Sequence, residues 1–142
     1  MTGANWVAHP GGDGVPYTVN ITDHEHELTR GLEDFEVSTE QYYLHVDAAN
    51  HVLATTRFPT VNWYHSPNGP VDVPVAWTRK WGVGRVYYNA LGHKANVIES
   101  GAPYEMLRRG VAWASESKTA AKAAGLCGGV GRVCDVWAAC SV

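Results

Sequence analysis

The sequence has little cysteine, little basic charge and no long apolar run. Its three cysteines all lie in the last sixteen residues, and an odd number at one end does not form a disulfide framework. Their spacing matches no common zinc pattern. The 11 basic residues are scattered among 14 acidic ones, which argues against a nucleic-acid partner. No run approaches the roughly 20 residues of a membrane span, and no signal peptide is evident, so we expect a cytoplasmic protein without a membrane partner.

Two catalytic motifs are also missing. The chain has no Gly-x-Ser-x-Gly elbow, and no cysteine precedes Cys127, so the nucleophile of a glutamine amidotransferase is absent. The Gly-Val-Gly sequence at 82–84 lies in a predicted hairpin rather than between a strand and a helix, so it does not predict a dinucleotide-binding loop.

The remaining pattern predicts one domain made mostly of strands. A chain of 142 residues is long enough to bury a core. Alternating apolar residues predict strands at 6–8, 17–21, 40–46, 52–56, 73–77 and 84–89, the last two forming a hairpin. Apolar spacing over 103–115 predicts the one helix. Residues 59–72 are predicted as a surface loop, and residues 118–142 as an Ala/Gly/Cys-rich tail.

Five segments resemble the ThuA-like, or trehalose-utilisation, family in their order and spacing. They are Trp-Val-Ala-His-Pro-Gly-Gly at 6–12, Asp-His-Glu-His at 23–26, Gly-Leu-Glu-Asp-Phe at 31–35, Ser-Thr-Glu-Gln-Tyr-Tyr-Leu-His-Val-Asp at 38–47, and Pro-Val-Ala-Trp to Leu-Gly-His at 74–93. The resemblance implies an α/β, flavodoxin-like three-layer fold similar to that of the class I glutamine amidotransferases. It also implies a role in carbohydrate metabolism, in the handling of trehalose and related disaccharides through keto-sugar intermediates.

The chain departs from the family pattern in two places. Family members carry a first half of the domain before the segment at 6–12, so we expect residues 1–117 to be the C-terminal portion of a ThuA-like domain that is incomplete at its N-terminus. The family's His-Pro-Ile-Thr stretch reads His-Glu-Leu-Thr at 26–29. The loss of proline relaxes a turn without removing His26.

Histidines and a carboxylate near predicted strand ends are the candidate catalytic residues. Ligands of open α/β sheets bind outside the carboxyl ends of strands, and a keto-sugar hydrolase or isomerase-like reaction needs a positioned acid or base. We therefore expect Glu40, His45 and His93 to be catalytic. The alternatives are that Glu40 is a surface residue paired with a cation and that His45 is a satisfied sheet histidine.

Aromatic and amide side chains near these positions suit a sugar, which presents apolar faces and hydroxyl edges. The candidate substrate-binding residues are His9, Gln41, Tyr42, Tyr43 and Trp63. Trp77 and Trp113 are expected to be core residues instead.

A divalent metal such as Zn²⁺ is a further candidate ligand. His24 and His26 form an H-x-H pair, and imidazoles with a carboxylate such as Glu40 are common donors for first-row metals. The alternative is that both histidines are solvated loop residues.

A different function also remains open at this point. A half domain exposes a sheet edge, so the chain could be a noncatalytic sugar-binding or assembly module that pairs as a homo-oligomer or with a partner chain, or an inactive fragment of a longer protein.

Overall fold

The computed structural model describes residues 2–59 and 69–125. Within these ranges the chain forms seven strands, one short 3-10 helix and one long α-helix. The elements are β1 (Ala4–Ala8), β2 (Val15–Ile21), β3 (Phe35–Thr39), β4 (Tyr43–Val46), β5 (His51–Phe58), β6 (Val71–Trp81), β7 (Gly84–Asn89), the 3-10 helix Ala95–Ile98 and α1 (Gly101–Ala123).

Most predicted elements are found, with shifted ends. The strand predicted at 40–46 begins only at Tyr43, and the helix predicted at 103–115 extends at both ends to become α1. The surface loop predicted at 59–72 falls largely outside the described residues, and its last two residues already belong to β6.

The strands form two antiparallel sheets. The larger has the order β3-β2-β5-β6-β7, and the smaller is a ribbon of β1 and β4. The β6–β7 hairpin closes with Trp81 opposite Gly84, and Gly82 in its turn has a φ of 58°, a conformation that glycine adopts without strain. The described part is thus a mixed α/β fold in which every strand pair is antiparallel.

Two apolar clusters form the core. The first packs Met106 of α1 against Val19, Ile21 and Val75 of the larger sheet. The second joins Leu44 of the ribbon to residues of β5 and β6, among them the fully buried Trp77.

The two tryptophans expected in the core differ in burial. Trp77 stacks on Tyr88 with ring centroids 4.1 Å apart, and its indole N–H donates to the Thr2 carbonyl over 2.9 Å. Trp113 is only half-buried, with the Arg85 guanidinium 5.0 Å from its ring.

α1 packs against β7 through a glycine. Only Met106, Gly110 and Ala121 of its residues are buried, and an added Cβ at Gly110 would lie 2.1 Å from the Tyr87 ring. In residues 2–59 and 69–125, no helix is both long and apolar enough to cross a membrane.

Candidate functional site

Glu40 lies between two histidines that come from different loops. Its Oε1 is 2.9 Å from Nδ1 of His9, and its Oε2 is 3.1 Å from Nδ1 of His93. The Glu40 side chain is 10% exposed, whereas the two rings are 39% and 42% exposed. The structure therefore brings together three of the predicted site residues, with a buried carboxylate behind two accessible imidazoles.

The contact between His9 and Glu40 is short, but it does not have the angles of a hydrogen bond. Nδ1 of His9 has no aligned hydrogen-bond partner within the described residues. Such contacts are often poorly aligned without substrate and tighten in the complex. We therefore treat Glu40, His9 and His93 as one group, which we call the Glu40 centre.

Local backbone structure places the three side chains. His9 follows β1, where a turn in which Gly12 N–H donates to the His9 carbonyl over 2.9 Å reverses the chain. Glu40 follows β3, and the Tyr17 hydroxyl holds its backbone carbonyl over 3.1 Å. His93 follows β7, in a loop that is stabilised by a hydrogen bond of 2.9 Å from the Leu91 N–H to Asn89 Oδ1.

An ion pair joins two of these loops. Lys94 Nζ contacts Asp13 Oδ2, so the loop that carries His93 is tied to the loop that carries His9. The hydrogen bond from Lys94 lowers the pKa of Asp13, and the positive charge of Lys94 lowers it further. The burial of Asp13 has an opposing effect that is smaller than that of the hydrogen bond. The carboxylate and the ammonium therefore both stay charged near neutral pH.

Two aromatic rings flank the Glu40 centre. The Trp6 ring is 5.5 Å from the His9 ring and 6.5 Å from that of Tyr42, and Trp6 is 56% exposed. Burial, then a hydrogen bond to Glu40 and the charge of Glu40, raise the pKa of Tyr42, so its phenol stays protonated as a donor. Trp6 was not expected at the site, although its position three residues before His9 is a signal in the sequence.

Gln41 and Tyr43, two expected substrate contacts, have structural partners. Gln41 is buried, and its Nε2 donates to Thr56 Oγ1 over 2.8 Å and to the Arg57 carbonyl over 3.2 Å. The Tyr43 ring packs on Phe58 with centroids 5.3 Å apart. Both side chains therefore contact residues of β5.

His45 lies apart from the Glu40 centre. It is an exposed residue of β4, opposite Asn5 of β1, and it lines a cavity of about 510 Å³ with Arg79 and Trp81. No contact joins it to Glu40 in the described part of the chain. The structure thus separates His45 from the other two expected catalytic residues.

The expected metal pair also diverges. His24 is exposed, whereas His26 is half-buried, with its Nδ1 accepting the Leu28 N–H over 3.2 Å and its ring 5.3 Å from that of His51. In residues 2–59 and 69–125, no three or more His, Cys, Asp or Glu side chains are grouped so as to hold a metal ion. Trp63, the remaining expected sugar contact, lies outside the described residues.

Comparison with known proteins identifies the family. The family model described as ThuA, trehalose utilisation, matches residues 1–114. A crystal structure of a ThuA-like protein from Parabacteroides merdae superposes with a TM-score of 0.56 at 21% sequence identity, over 80% of this chain and 41% of that one. The chain therefore spans less than half the length of that structure. No curated protein matches the sequence. Because the family model covers most of its length, the chain belongs to the ThuA, or trehalose-utilisation, family.

Proposed function

We propose that the Glu40 centre binds a sugar and transfers protons to and from it, as part of the trehalose utilisation that the family suggests. The observation that carries this proposal is an exposed Trp6 ring directly beside the His9–Glu40–His93 group. An aromatic face binds the C–H face of a sugar, while imidazole and phenol groups bind its hydroxyls.

The burial of the three groups suggests their roles. Glu40 is the least accessible and lies beside Nδ1 of both rings, so it acts as the positioning group, with its contact to His9 becoming aligned when the sugar binds. The Nε2 atoms of His9 and His93 are then the proton donor and acceptor for the sugar, because histidine exchanges protons near neutral pH. In an isomerase-like step, one ring takes a proton from the carbon beside a keto group, and the other ring donates a proton to the keto oxygen. A keto-sugar hydrolase would use the same pair on a glycosidic oxygen and water.

Ligand-observed NMR and thermal unfolding with trehalose and glucose test the proposal. Binding to the folded chain raises its unfolding midpoint by mass action. Trp6→Ala is expected to abolish the response, and Trp81→Ala is the matched control, because Trp81 is a comparably exposed tryptophan, 45% accessible, that lines the other cavity. Equal loss in both variants, or in neither, would contradict a sugar platform at Trp6.

Variants of the centre separate binding from proton transfer. Glu40→Gln keeps the shape and removes the charge, and His93→Asn keeps an atom near the position of Nδ1 while it removes Nε2. We expect both to retain sugar binding within a few-fold and to lose turnover of a keto-sugar. Glu36→Gln, at an exposed carboxylate of β3 that accepts a hydrogen bond from the Thr18 hydroxyl of β2, is the control. A Glu40→Gln variant with unchanged turnover would remove Glu40 from the proposal.

The assembly alternative has an observation in its favour. The chain matches only 41% of the ThuA-like structure, and β3 and β7 stand at the two ends of the larger sheet. We propose that a partner chain or a second copy packs against these two edge strands and completes a flavodoxin-like three-layer domain around residues 1–117. Sedimentation tests this: a dimer or larger assembly supports completion, and a monodisperse monomer argues against it.

A divalent metal at His24 and His26 and a cytoplasmic location remain part of the proposal. The metal is tested by thermal unfolding with Zn²⁺ and Mn²⁺. A rise in midpoint that His24→Ala removes would support it, and an identical rise in that variant would place the ion elsewhere.

A further inference from the structure

A second cavity lies on the larger sheet, apart from the Glu40 centre. Its volume is about 420 Å³, which is within the range of sites for small molecules. Its walls include His26, His51, Thr78, Arg79, Lys80 and Trp113, and no carboxylate of the described residues lines it. None of these residues belongs to the Glu40 centre, so we call this the His26 cavity.

His26 is held as a hydrogen-bond donor toward its surroundings. Asp23 Oδ1 accepts the backbone N–H groups of Glu25 and His26, each over 3.0 Å, which fixes the bend that carries the ring. Nδ1 of His26 accepts the Leu28 N–H over 3.2 Å. In the neutral ring the proton therefore sits on Nε2, which is a donor.

His51 is held by the same aspartate. Its Nε2 lies 2.7 Å from Asp23 Oδ2, and its ring meets that of His26 edge-on at 5.3 Å. The Asp23 carboxylate is thus bonded behind the pair of imidazoles and is not part of the cavity wall.

Two cations complete the wall. Arg79 is bonded to Asp47 over 2.9 Å, while its buried Nε has no hydrogen-bond partner in residues 2–59 and 69–125. Lys80 is exposed and makes no ion pair with any described residue. The cavity therefore combines one unpaired positive charge with several donors.

We propose that the His26 cavity binds the oxyanion group, phosphate or carboxylate, of a small molecule. Cationic and N–H donors bind such groups through short charge-assisted hydrogen bonds. The volume exceeds that of a bare anion, and the half-buried Trp113 ring forms an apolar wall for the rest of the molecule. This binding site is independent of the sugar site proposed above.

The probes are inorganic phosphate, acetate and glucose 6-phosphate, each compared with sodium chloride at matched ionic strength. We expect saturable shifts of the His26 and His51 ring resonances in the millimolar range. Saturation by phosphate and glucose 6-phosphate alone identifies a phosphate site, and saturation by acetate alone identifies a carboxylate site. Either supports the shared chemistry.

Two variants and a control locate the site. Lys80→Gln removes an exposed charge with little risk to folding, and we expect it to weaken binding about tenfold, the effect of one charged hydrogen bond. His26→Asn keeps an acceptor for the Leu28 N–H and removes Nε2, with a similar expected loss. Lys122→Gln, at an exposed lysine in the last turn of α1, should bind as the parent does. The same shifts with chloride, no saturation, or equal binding by Lys80→Gln would overturn the proposal.

Discussion

Replacing Gly110 of α1 with alanine should destabilise the fold, even though alanine is the better helix former. The added Cβ would lie 2.1 Å from Cδ1 and from Cε1 of Tyr87, and 2.7 Å from its Cγ. Tyr87 lies on β7, and its ring packs against the first core cluster. Neither the ring nor the helix can therefore give way without disturbing packed neighbours.

Two opposing terms decide the sign of the change. The better helix propensity of alanine contributes about 1 kcal/mol in favour of the variant. Overpacking a close-packed site costs about 1–3 kcal/mol, and more where backbone must move. An overlap this deep belongs at the upper end, so we expect a net loss of about 2 kcal/mol in the free energy of unfolding.

Denaturant unfolding of Gly110→Ala and of matched control variants tests this reasoning. Ala112→Gly, at an exposed position of the same helix, measures propensity alone and should lose about 1 kcal/mol. In a Tyr87→Ala background the overlap is gone, so Gly110→Ala should become stabilising by a similar amount. If Gly110→Ala stabilised the parent chain by as much as Ala112→Gly destabilises it, the close packing of α1 on Tyr87 would be refuted.

Three further perturbations have clear signs. Burial and then the charge of His51 lower the pKa of His26, so the unfolded chain binds more protons than the folded chain below the ordinary histidine pKa of about 6.5. Stability should therefore fall as the pH drops from 7 through 6. His26→Asn should flatten that part of a pH series of unfolding midpoints, and an unchanged slope would contradict the assignment. Arg108 and Arg109 lower the pKa of Glu105 to about 2, so its contribution is present above pH 4.5 and lost as pH falls toward 2. Glu105→Gln should reduce the acid sensitivity slightly, because Glu105 and Arg109 are only half-buried and Arg108 is exposed, so that solvent screens the pairs. Trp77→Phe removes the hydrogen bond to the Thr2 carbonyl and should cost about 1–3 kcal/mol by calorimetry, whereas Trp81→Phe, at an exposed ring, should change little.

The sequence predicts local elements well because their signals are local. The β6–β7 hairpin, with its glycine turn, and the helix with Pro103 in its first turn follow from patterns of a few residues. Three of the site residues, His9, Glu40 and His93, also meet as expected. Each lies in a loop directly after a strand, where the chain is free to bring distant side chains together.

His45 shows why the rest could not be predicted. The expectation placed it with His9 because ligands collect at the carboxyl ends of parallel strands. The ribbon is antiparallel, so the end of β4 lies beside the start of β1, with His45 opposite Asn5. A single sequence does not reveal strand direction or partner, and the same lack of pairing information concealed that Gln41 bonds to β5 and that Trp6 is exposed.

The two proposed sites should differ in their dependence on the ribbon. The Glu40 centre depends on the ribbon through His9, which directly follows ribbon strand β1, and through Glu40, which lies in the short connection from β3 to ribbon strand β4. His26, His51 and Lys80 belong instead to the larger sheet and its connections. Leu44→Ala removes the ribbon's buried anchor in the second core cluster. It should cost about 2–5 kcal/mol, chiefly in local opening of β1 and β4.

Amide hydrogen exchange and the two binding assays separate these effects. We expect β1 and β4 amides to exchange faster in Leu44→Ala, sugar binding to be lost, and the response of His26 to phosphate to persist. Val19→Ala, at a buried residue of the first cluster, is the matched control and should weaken both responses together. Parallel loss of both responses in Leu44→Ala would contradict local opening of the ribbon. It would mean that the ribbon and the larger sheet unfold as one cooperative unit.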